Sequence, residues 1–181
     1  MTVEEYAIAY LQQEIQLVKD RQEPLLTNFE KAIIYKYSVT GYEDVNEQLR
    51  LNQGQNLPLF AQLLNECLSK LPDYEGVVYR GEDLSQKQAE IYIRAFEEDE
   101  IITKSQFYSS SRSKETAYMF GKTSIKIYSK TGKKIEHIAN FGINDSQNER
   151  EVLFRCNTNF EVVDILQDEH GNLLNVVLYE I

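Results

Sequence analysis

The stretch SQNEREVLFRC, residues 146–156, passes from a polar loop into an apolar run. Its two glutamates, Glu149 and Glu151, stand on either side of Arg150, and a valine, a leucine and a phenylalanine follow. If the segment is extended, both carboxylates point to the same face, where they repel each other unless a cation or a proton lies between them. The stretch therefore predicts either a solvated strand end or a pair of carboxylates kept for chemistry.

The composition predicts one soluble domain with a packed core. The chain has 181 residues, a formal net charge of −10 and a hydrophobic fraction of 42%. This acidic balance argues against nucleic acid as a partner, because duplex binding requires cations that neutralise phosphates. No apolar run is long enough to span a bilayer, and the start MTVEEYAIAYLQQE lacks the basic region and the cleavage site of a signal peptide. No membrane insertion is therefore expected.

Cysteine and histidine, the residue types that can form disulfides and metal sites, are scattered along the sequence. Cys67 and Cys156 lie far apart and form no C-x-x-C motif, and His137 and His170 are isolated. Neither a disulfide framework nor a metal site is expected from such spacing. The two histidines are interpreted as ordinary surface or core residues.

Helical signals dominate residues 1–72. Thr2 and Glu5 form a capping box, and Pro58 opens the apolar segment LPLFAQLLNECLSKL. The helices predicted in this part run from Thr2 to Val18, from Asn28 to Tyr37, from near Tyr42 through Leu49, and from Pro58 to just before Pro72.

From Gly76 the hydrophobic period changes to that of strands, beginning with GVVYR. Ser85 and Ser113 are predicted to cap two helices, the first ending near Phe96 and the second lying between Arg112 and Phe120. The other predicted strands are Ser105–Ser109, Thr123–Tyr128, Lys134–Ile138, Glu151–Cys156, Phe160–Gln167 and Leu173–Glu180. Helices first and strands later predict an α+β fold. We expect a single domain, 1–181, with a helical part (1–72) and a β-rich part (76–181).

Two further patches stand at the ends of predicted strands. VVYRG, residues 77–81, ends on Arg80, whose fork of N–H donors suits a phosphate, and FYSSS, residues 107–111, supplies a row of hydroxyls. Each patch alone has a plain explanation, a salt-bridged arginine and a polar turn. Together with the two glutamates they suit a dinucleotide whose glycosidic bond is broken. A Rossmann or P-loop site is not indicated, because neither glycine-rich motif is present.

The order of the three patches resembles the mono-ADP-ribosyltransferases of the Arg–Ser–Glu branch. YSVTGYEDVNEQLR, followed by GVVYRG, is similar to the helical lead-in of that family, and REVLFRCNTNFEVVDI is similar to its closing strands. The resemblance covers residues 35 to 181. It implies N-terminal helices followed by a mostly antiparallel two-sheet β core of the ADP-ribosyltransferase type, and NAD as the substrate with no metal.

The first two patches carry the NAD-binding roles that the resemblance implies. Arg80 would hold the NAD phosphates, and Gly81 would offer its backbone to the nicotinamide carboxamide. Ser109 would orient the catalytic glutamate, while Ser110 and Ser111 would support the strand and the pocket.

The two glutamates would have different roles. Glu151 matches the catalytic glutamate, which stabilises positive charge on the ribose. Glu149 matches the residue that handles the acceptor in arginine-modifying members, where it would position a guanidinium and accept its proton.

The remaining implied site residues lie nearby in sequence. Residues 140–148 correspond to the family's substrate-recognition loop, with Phe141 as a contact for the target protein. Phe120 falls where members stack an aromatic ring on nicotinamide. Lys122 stands where some toxins carry an arginine that contacts phosphate, and a lysine supplies a point charge instead of a fork.

The resemblance implies an NAD-dependent mono-ADP-ribosyltransferase, a glycosyltransferase that modifies an arginine of a target protein as a bacterial or phage effector or toxin. An inhibitory immunity protein and delivery into a target cell would follow from that role. Two alternatives remain open at the level of sequence. One is an NAD glycohydrolase, in which water takes the place of the arginine, and the other is a catalytically silent domain of the same fold that binds a partner.

Overall fold

The computed structural model describes residues 1–181 and consists of five helices, then strands with two further helices between them. The helices are α1 (Val3–Tyr10), α2 (Gln12–Val18), α3 (Asn28–Lys36), α4 (Tyr42–Leu51), α5 (Leu59–Ser69), α6 (Gln86–Glu97) and α7 (Lys114–Tyr118). The strands are β1 (Tyr74–Glu82), β2 (Ile101–Lys104), β3 (Tyr108–Ser111), β4 (Thr123–Lys134), β5 (Glu151–Phe154), β6 (Thr158–Gln167) and β7 (Leu173–Glu180). The predicted α+β class is confirmed.

The helical part follows the predicted pattern with two differences. The capping box at Thr2 is present, but the single helix predicted up to Val18 is divided at Leu11, whose ψ of 35° is not helical. Leu11 is buried in the helical cluster at this break. The helix predicted to end at Tyr37 instead continues through a π-helical turn, Tyr37–Gly41, directly into α4.

The seven strands join into one hydrogen-bonded network with two parts. Strands β1, β4, β7, β6 and β2 lie side by side, and every neighbouring pair is antiparallel except β4–β7. The second part is the antiparallel pair β3–β5. It meets the first where Tyr79 of β1 pairs with Ser111 of β3, and where Lys133 and Lys134 of β4 pair with β5. The β core is mostly antiparallel, as the resemblance implies, but its strands form one seven-stranded hydrogen-bonded sheet where two sheets were expected, because both β1 and β4 pair across to β3–β5.

Most predicted strands have other bounds in the structure, β2 was not predicted, and two predictions fall largely on residues that form no strand. Residues 105–107 form a loop between β2 and β3, and residues 135–138 form a turn after β4. Phe107, Ile135 and Ile138 are nevertheless buried, all three against the helical part. Apolar loop residues that are buried against the helical part therefore gave the same sequence pattern as a strand. For β7, in contrast, the predicted and observed bounds are the same.

Two hydrophobic clusters form the core, and β5 lies between them. One cluster holds the buried residues of α1–α5 together with Leu153. The other holds the inner residues of the sheet and α6 together with Val152 and Phe154. Because successive residues of a strand point to opposite faces, β5 is anchored on both sides. The residue that opens it, Glu151, is therefore held at a fixed place.

None of the helices combines the length and the apolar composition that crossing a bilayer requires. No group of three or more His, Cys, Asp or Glu side chains is placed to hold a metal ion.

Leu64→Ala is expected to lower the free energy of unfolding by about 2–5 kcal/mol, because Leu64 is fully buried in the helical cluster and the change leaves a cavity. Leu51→Ala is the matched control, since Leu51 is 79% exposed on a helix and its loss is expected to change that free energy by less than about 0.5 kcal/mol. Urea denaturation followed by circular dichroism measures both. Equal effects would contradict the assignment of the helical part to the cooperative core.

Candidate active site

The three short sequence patches meet where β1, β3 and β5 lie side by side. Arg80 is near the end of β1, Ser109 is in β3, and Glu151 is the first residue of β5. The antiparallel register pairs Ser111 with Glu151 and Tyr79 with Ser111. Strand pairing therefore brings together side chains that are far apart in the sequence.

Arg80 is fixed by three kinds of contact. Its Nη1 donates to the carbonyl oxygen of Ser109 at 2.7 Å, and its Nε donates to the carboxylate of Glu82. The guanidinium carbon lies 4.5 Å from the ring centroid of Tyr108, a cation–π distance. The side chain is still 30% exposed. The cation is therefore held in one orientation with part of its surface open to a ligand.

Glu151 is the most perturbed carboxyl group of this cluster. Ser109 Oγ donates to its Oε1 at 2.7 Å, as the sequence predicted for the orienting serine. Burial raises the pKa of Glu151 to about 7, and the nearby Glu149 adds to the rise, while the bond from Ser109 opposes it. A strongly perturbed carboxyl beside a fixed cation in a cleft is typical of functional sites.

Glu149 reaches the same cavity for a reason other than the one predicted. The segment is not extended, since Arg150 has a φ of +49° and its N–H donates to Asn148 Oδ1 at 2.8 Å. The carbonyl of Glu149 accepts from Ser111 Oγ at 2.6 Å. Loop geometry, not strand alternation, thus places the two carboxylates side by side, and burial raises the pKa of Glu149 as well.

Two adjoining cavities meet at this cluster. The smaller has a volume of about 460 Å³ and lies against β1 and α7. The larger, of about 980 Å³, extends along the π-helical turn and α4. Both volumes fall in the range of small-molecule and cofactor sites. Five residues line both cavities and so mark the boundary between them: Arg80, Ser109, Phe120, Glu149 and Glu151.

Three other predicted residues line the smaller cavity with structural contacts of their own. The hydroxyl of Ser110 donates to the carbonyl of Val152 at 2.7 Å, and that of Ser111 binds the loop at Glu149. A Cβ added to Gly81 would lie 2.5 Å from the carbonyl oxygen of Ala117. Close packing of β1 on α7 therefore explains this glycine without reference to a ligand.

Of the aromatic and basic residues predicted around the site, the two aromatic ones line the cavities and the lysine does not. Phe120 is 62% exposed at the boundary of the two cavities, and Phe141, with a φ of +56°, lines the larger one. Lys122 lines neither of them; it faces a separate cavity beside the β6–β7 turn. Its backbone N–H donates to Asp83 Oδ1 at 2.9 Å. The phosphate contact of Lys122 stays a prediction without support from its position.

The helical wall of the larger cavity was missed in the sequence. Tyr42, Asn46 and Arg50 all line it, as does the buried Tyr37, whose hydroxyl accepts from Asn46 Nδ2 at 3.1 Å. Residues four apart share one face of a helix. The spacing of Tyr42, Asn46 and Arg50 therefore predicts one shared face of α4, but it does not show what that face covers.

Curated relatives point to one group of enzymes. The chain is 32% identical over 138 residues to the putative NAD(+)–arginine ADP-ribosyltransferase Mav of Mycobacterium avium, covering 73% of this chain and 15% of that protein. It is 32% identical over 152 residues to the NAD(+)–protein-arginine ADP-ribosyltransferase Tre1 of Serratia proteamaculans, covering 79% and 30%. The chain thus spans well under half the length of these two relatives.

Solved structures share the fold at low sequence identity. Exoenzyme S from Pseudomonas aeruginosa, in a complex with human 14-3-3 protein beta and carba-NAD, superposes with a TM-score of 0.77 at 22% identity, covering 98% of this chain and 86% of that one. The ADP-ribosyltransferase HopU1 of Pseudomonas syringae gives a TM-score of 0.75 at 18% identity, with coverages of 100% and 88%.

A family-wide comparison covers nearly the whole chain. The sequence model described as ADP-ribosyltransferase exoenzyme matches residues 7–179, which include all the strands that build the site. With the relatives and the shared fold, this match assigns the family. The chain belongs to the ADP-ribosyltransferase exoenzyme family.

Proposed function

We propose that this chain is an NAD-dependent mono-ADP-ribosyltransferase that transfers ADP-ribose to an arginine side chain of a target protein and releases nicotinamide. The observation that carries the proposal is the hydrogen bond from Ser109 to Glu151, with Arg80 and Glu149 at the same boundary between two cavities. The names of the relatives Mav and Tre1 support arginine as the acceptor.

Arg80 and Glu151 suit the cleavage of the glycosidic bond. As the bond between the ribose C1′ and nicotinamide breaks, its electron pair moves to the ring nitrogen, and positive charge develops on the ribose. In this proposal the carboxylate of Glu151, which accepts a hydrogen bond from Ser109 Oγ, stabilises that charge. Arg80 supplies a fixed cation for the pyrophosphate.

Glu149 suits the acceptor half of the reaction. A guanidinium is protonated and a poor nucleophile, so the enzyme needs a group that orients it and takes a proton as the new bond to C1′ forms. Burial raises the pKa of Glu149, which makes this carboxylate a better proton acceptor than an exposed one. The proton leaving the guanidinium nitrogen thus has a defined destination.

The chain's own residues fit NAD as a substrate. The two cavities together offer space on both sides of Arg80, and the exposed ring of Phe120 lies at their boundary, where it could stack on nicotinamide. Arg50 lines the larger cavity and is a better placed second cation for the pyrophosphate than Lys122. We assign Arg50 that role in place of the sequence-based choice.

The biological setting that we propose is that of a bacterial effector or toxin. Two structural neighbours support this setting by analogy, the type III effector XopAI from Xanthomonas axonopodis and the Vis toxin from Vibrio splendidus. An effector that modifies proteins of its own producer would require an inhibitory partner, and we include such an immunity protein in the proposal. Secretion and delivery into a target cell belong to the same proposal.

Glu149→Gln is expected to lower transfer of ADP-ribose to agmatine by about a hundredfold or more while NAD hydrolysis persists, because the amide cannot accept the guanidinium proton. Glu151→Gln is expected to lower both activities by at least about a hundredfold, because the charge on the ribose is no longer stabilised. Labelled NAD with and without agmatine, resolved by chromatography, measures both rates. Agmatine is a sensible small acceptor, since the related toxin Vis of Vibrio splendidus has been solved in complex with it.

Glu161→Gln serves as the matched control, since Glu161 is an exposed glutamate of β6 that lines neither of the two cavities. Rates close to those of the wild type are expected for it. Full transfer by Glu149→Gln would refute the acceptor role. Release of ADP-ribose alone by the wild type would favour the glycohydrolase, and no turnover of NAD would favour a silent binding domain.

The kcat/KM for NAD is expected to rise about tenfold per pH unit below pH 7 and to level off above it. Glu151 must be ionised to act, and its pKa is raised to about 7, mainly by burial. Ser109→Ala should move the midpoint to higher pH, because it removes a hydrogen bond that favours the charged form. Initial rates of NAD hydrolysis between pH 5 and pH 9 test this; a profile that is flat down to about pH 5 would contradict it.

A further inference from the structure

Residues 135–150 connect β4 to β5 without forming a helix or a strand of their own. Connections of this length are uncommon inside compact domains and are usually either functional loops or linker segments. This one carries Phe141 and Glu149, both of which line the larger cavity. Something must hold so long a segment in place if Glu149 is to meet a guanidinium reproducibly.

Glu136 is the second residue of this connection. It is only 5% exposed, and its two carboxylate oxygens have different partners. Arg112 Nη2 donates to Oε1, and Asn148 Nδ2 donates to Oε2 at 3.0 Å. The carbonyl of Glu136 also accepts from the N–H of Ile143 at 2.7 Å. A residue at the beginning of the connection thus binds its middle at Ile143 and its end at Asn148, and also binds Arg112 outside it.

The contact with Asn148 is transmitted directly to Glu149. Oδ1 of Asn148 accepts from the N–H of Arg150, the residue whose positive φ turns the chain. The N–H of Glu149 itself donates to the carbonyl of Phe141 at 2.7 Å. Arg112, the other partner of Glu136, donates its backbone N–H to the carbonyl of Arg150 at 3.0 Å. The residues on both sides of Glu149 are therefore tied to Glu136.

The helical part holds the same connection from outside. Arg21 Nη1 donates to the carbonyls of Ile138 and Ala139, each at 2.8 Å, and lies 3.8 Å from Asp145. Space around the turn is small, since a Cβ added to Gly142 would lie 2.1 Å from the carbonyl oxygen of Glu136. The connection is therefore packed tightly against Glu136.

We propose that Glu136 is a positioning residue that acts through Asn148 and Arg112 to hold Glu149 in the cavity. It thereby sets the fraction of NAD turnover that goes to arginine instead of water. The proposal rests on the proposed transferase function and on the acceptor role of Glu149.

Glu151 does not depend on Glu136 in the same way. Its position follows from the pairing of β3 with β5 and from the bond to Ser109. The loss of Glu136 should therefore spare NAD cleavage and affect the acceptor step. Arg112 adds to the effect. Its Nε is buried without a hydrogen-bond partner, and Glu136 is the one acidic residue with which it forms an ion pair. Removing that balance leaves an unpaired, partly buried cation that favours rearrangement of the loop.

Glu136→Gln and Asn148→Ala are expected to lower the ratio of agmatine transfer to NAD hydrolysis by about tenfold to a hundredfold, because misplacing a reacting group by about an ångström can cost up to about a hundredfold in rate. The KM for agmatine should rise while the KM for NAD stays close to the wild-type value. Both products are measured in the same reaction with labelled NAD. Asn148→Ala changes a residue near the surface of the loop, so it decides the matter if Glu136→Gln does not fold.

Glu30→Gln is the matched control. Glu30 is also 5% exposed and pairs with one cation, Lys70, but it lies in the helical part and caps α3. The variant Glu30→Gln should lower the unfolding temperature of the protein without changing the ratio of transfer to hydrolysis. A wild-type ratio in both Glu136→Gln and Asn148→Ala, or an equal drop in Glu30→Gln, would overturn the proposal. A wild-type protein that hydrolyses NAD but never labels agmatine would instead contradict the proposed function.

Discussion

Strand β5 is held between two hydrophobic cores, and the geometry of the site depends on this constraint. Leu153 points into the helical cluster, while Val152 and Phe154 point into the cluster of the sheet. A shift of one residue along the neighbouring strand would turn each of these side chains to the wrong core. The register with β3 is therefore strongly specified, and with it the 2.7 Å hydrogen bond between Ser109 and Glu151.

The same constraint explains why the pKa of the carboxyl group that opens β5 is raised. A carboxyl at the first residue of a buried strand is partly removed from water, and burial is the main reason why the pKa of Glu151 rises to about 7. Arg80 offsets part of that cost, and it is itself held by Glu82, by the carbonyl of Ser109 and by the ring of Tyr108. Opposed charges that are fixed before a ligand arrives need little reorganisation when charge develops on a bound ribose.

Short motifs in the sequence predicted which residues meet at the site, but they did not predict the contacts that depend on packing between segments. Arg80, Ser109 and Glu151 come together as predicted, because strand ends that pair must lie close to one another. Strand alternation was the wrong reason for the proximity of the two glutamates, since Arg150 has a positive φ that no pattern of polarity reveals. Lys122 was chosen from its place in a motif, yet it faces another cavity.

The sequence by itself determined the α+β class, the helix caps at Thr2, Ser85 and Ser113, the bounds of β7 and the residue types of the site, because these depend on local periodicity and on short motifs. Only the tertiary structure decided which layer covers the larger cavity and what holds the loop. The helical wall with Asn46 and Arg50, and the buried anchor Glu136, arise from contacts between segments far apart in the chain. Such contacts are selected by the packing of two cores against one strand, and packing leaves no short-range signal in the sequence.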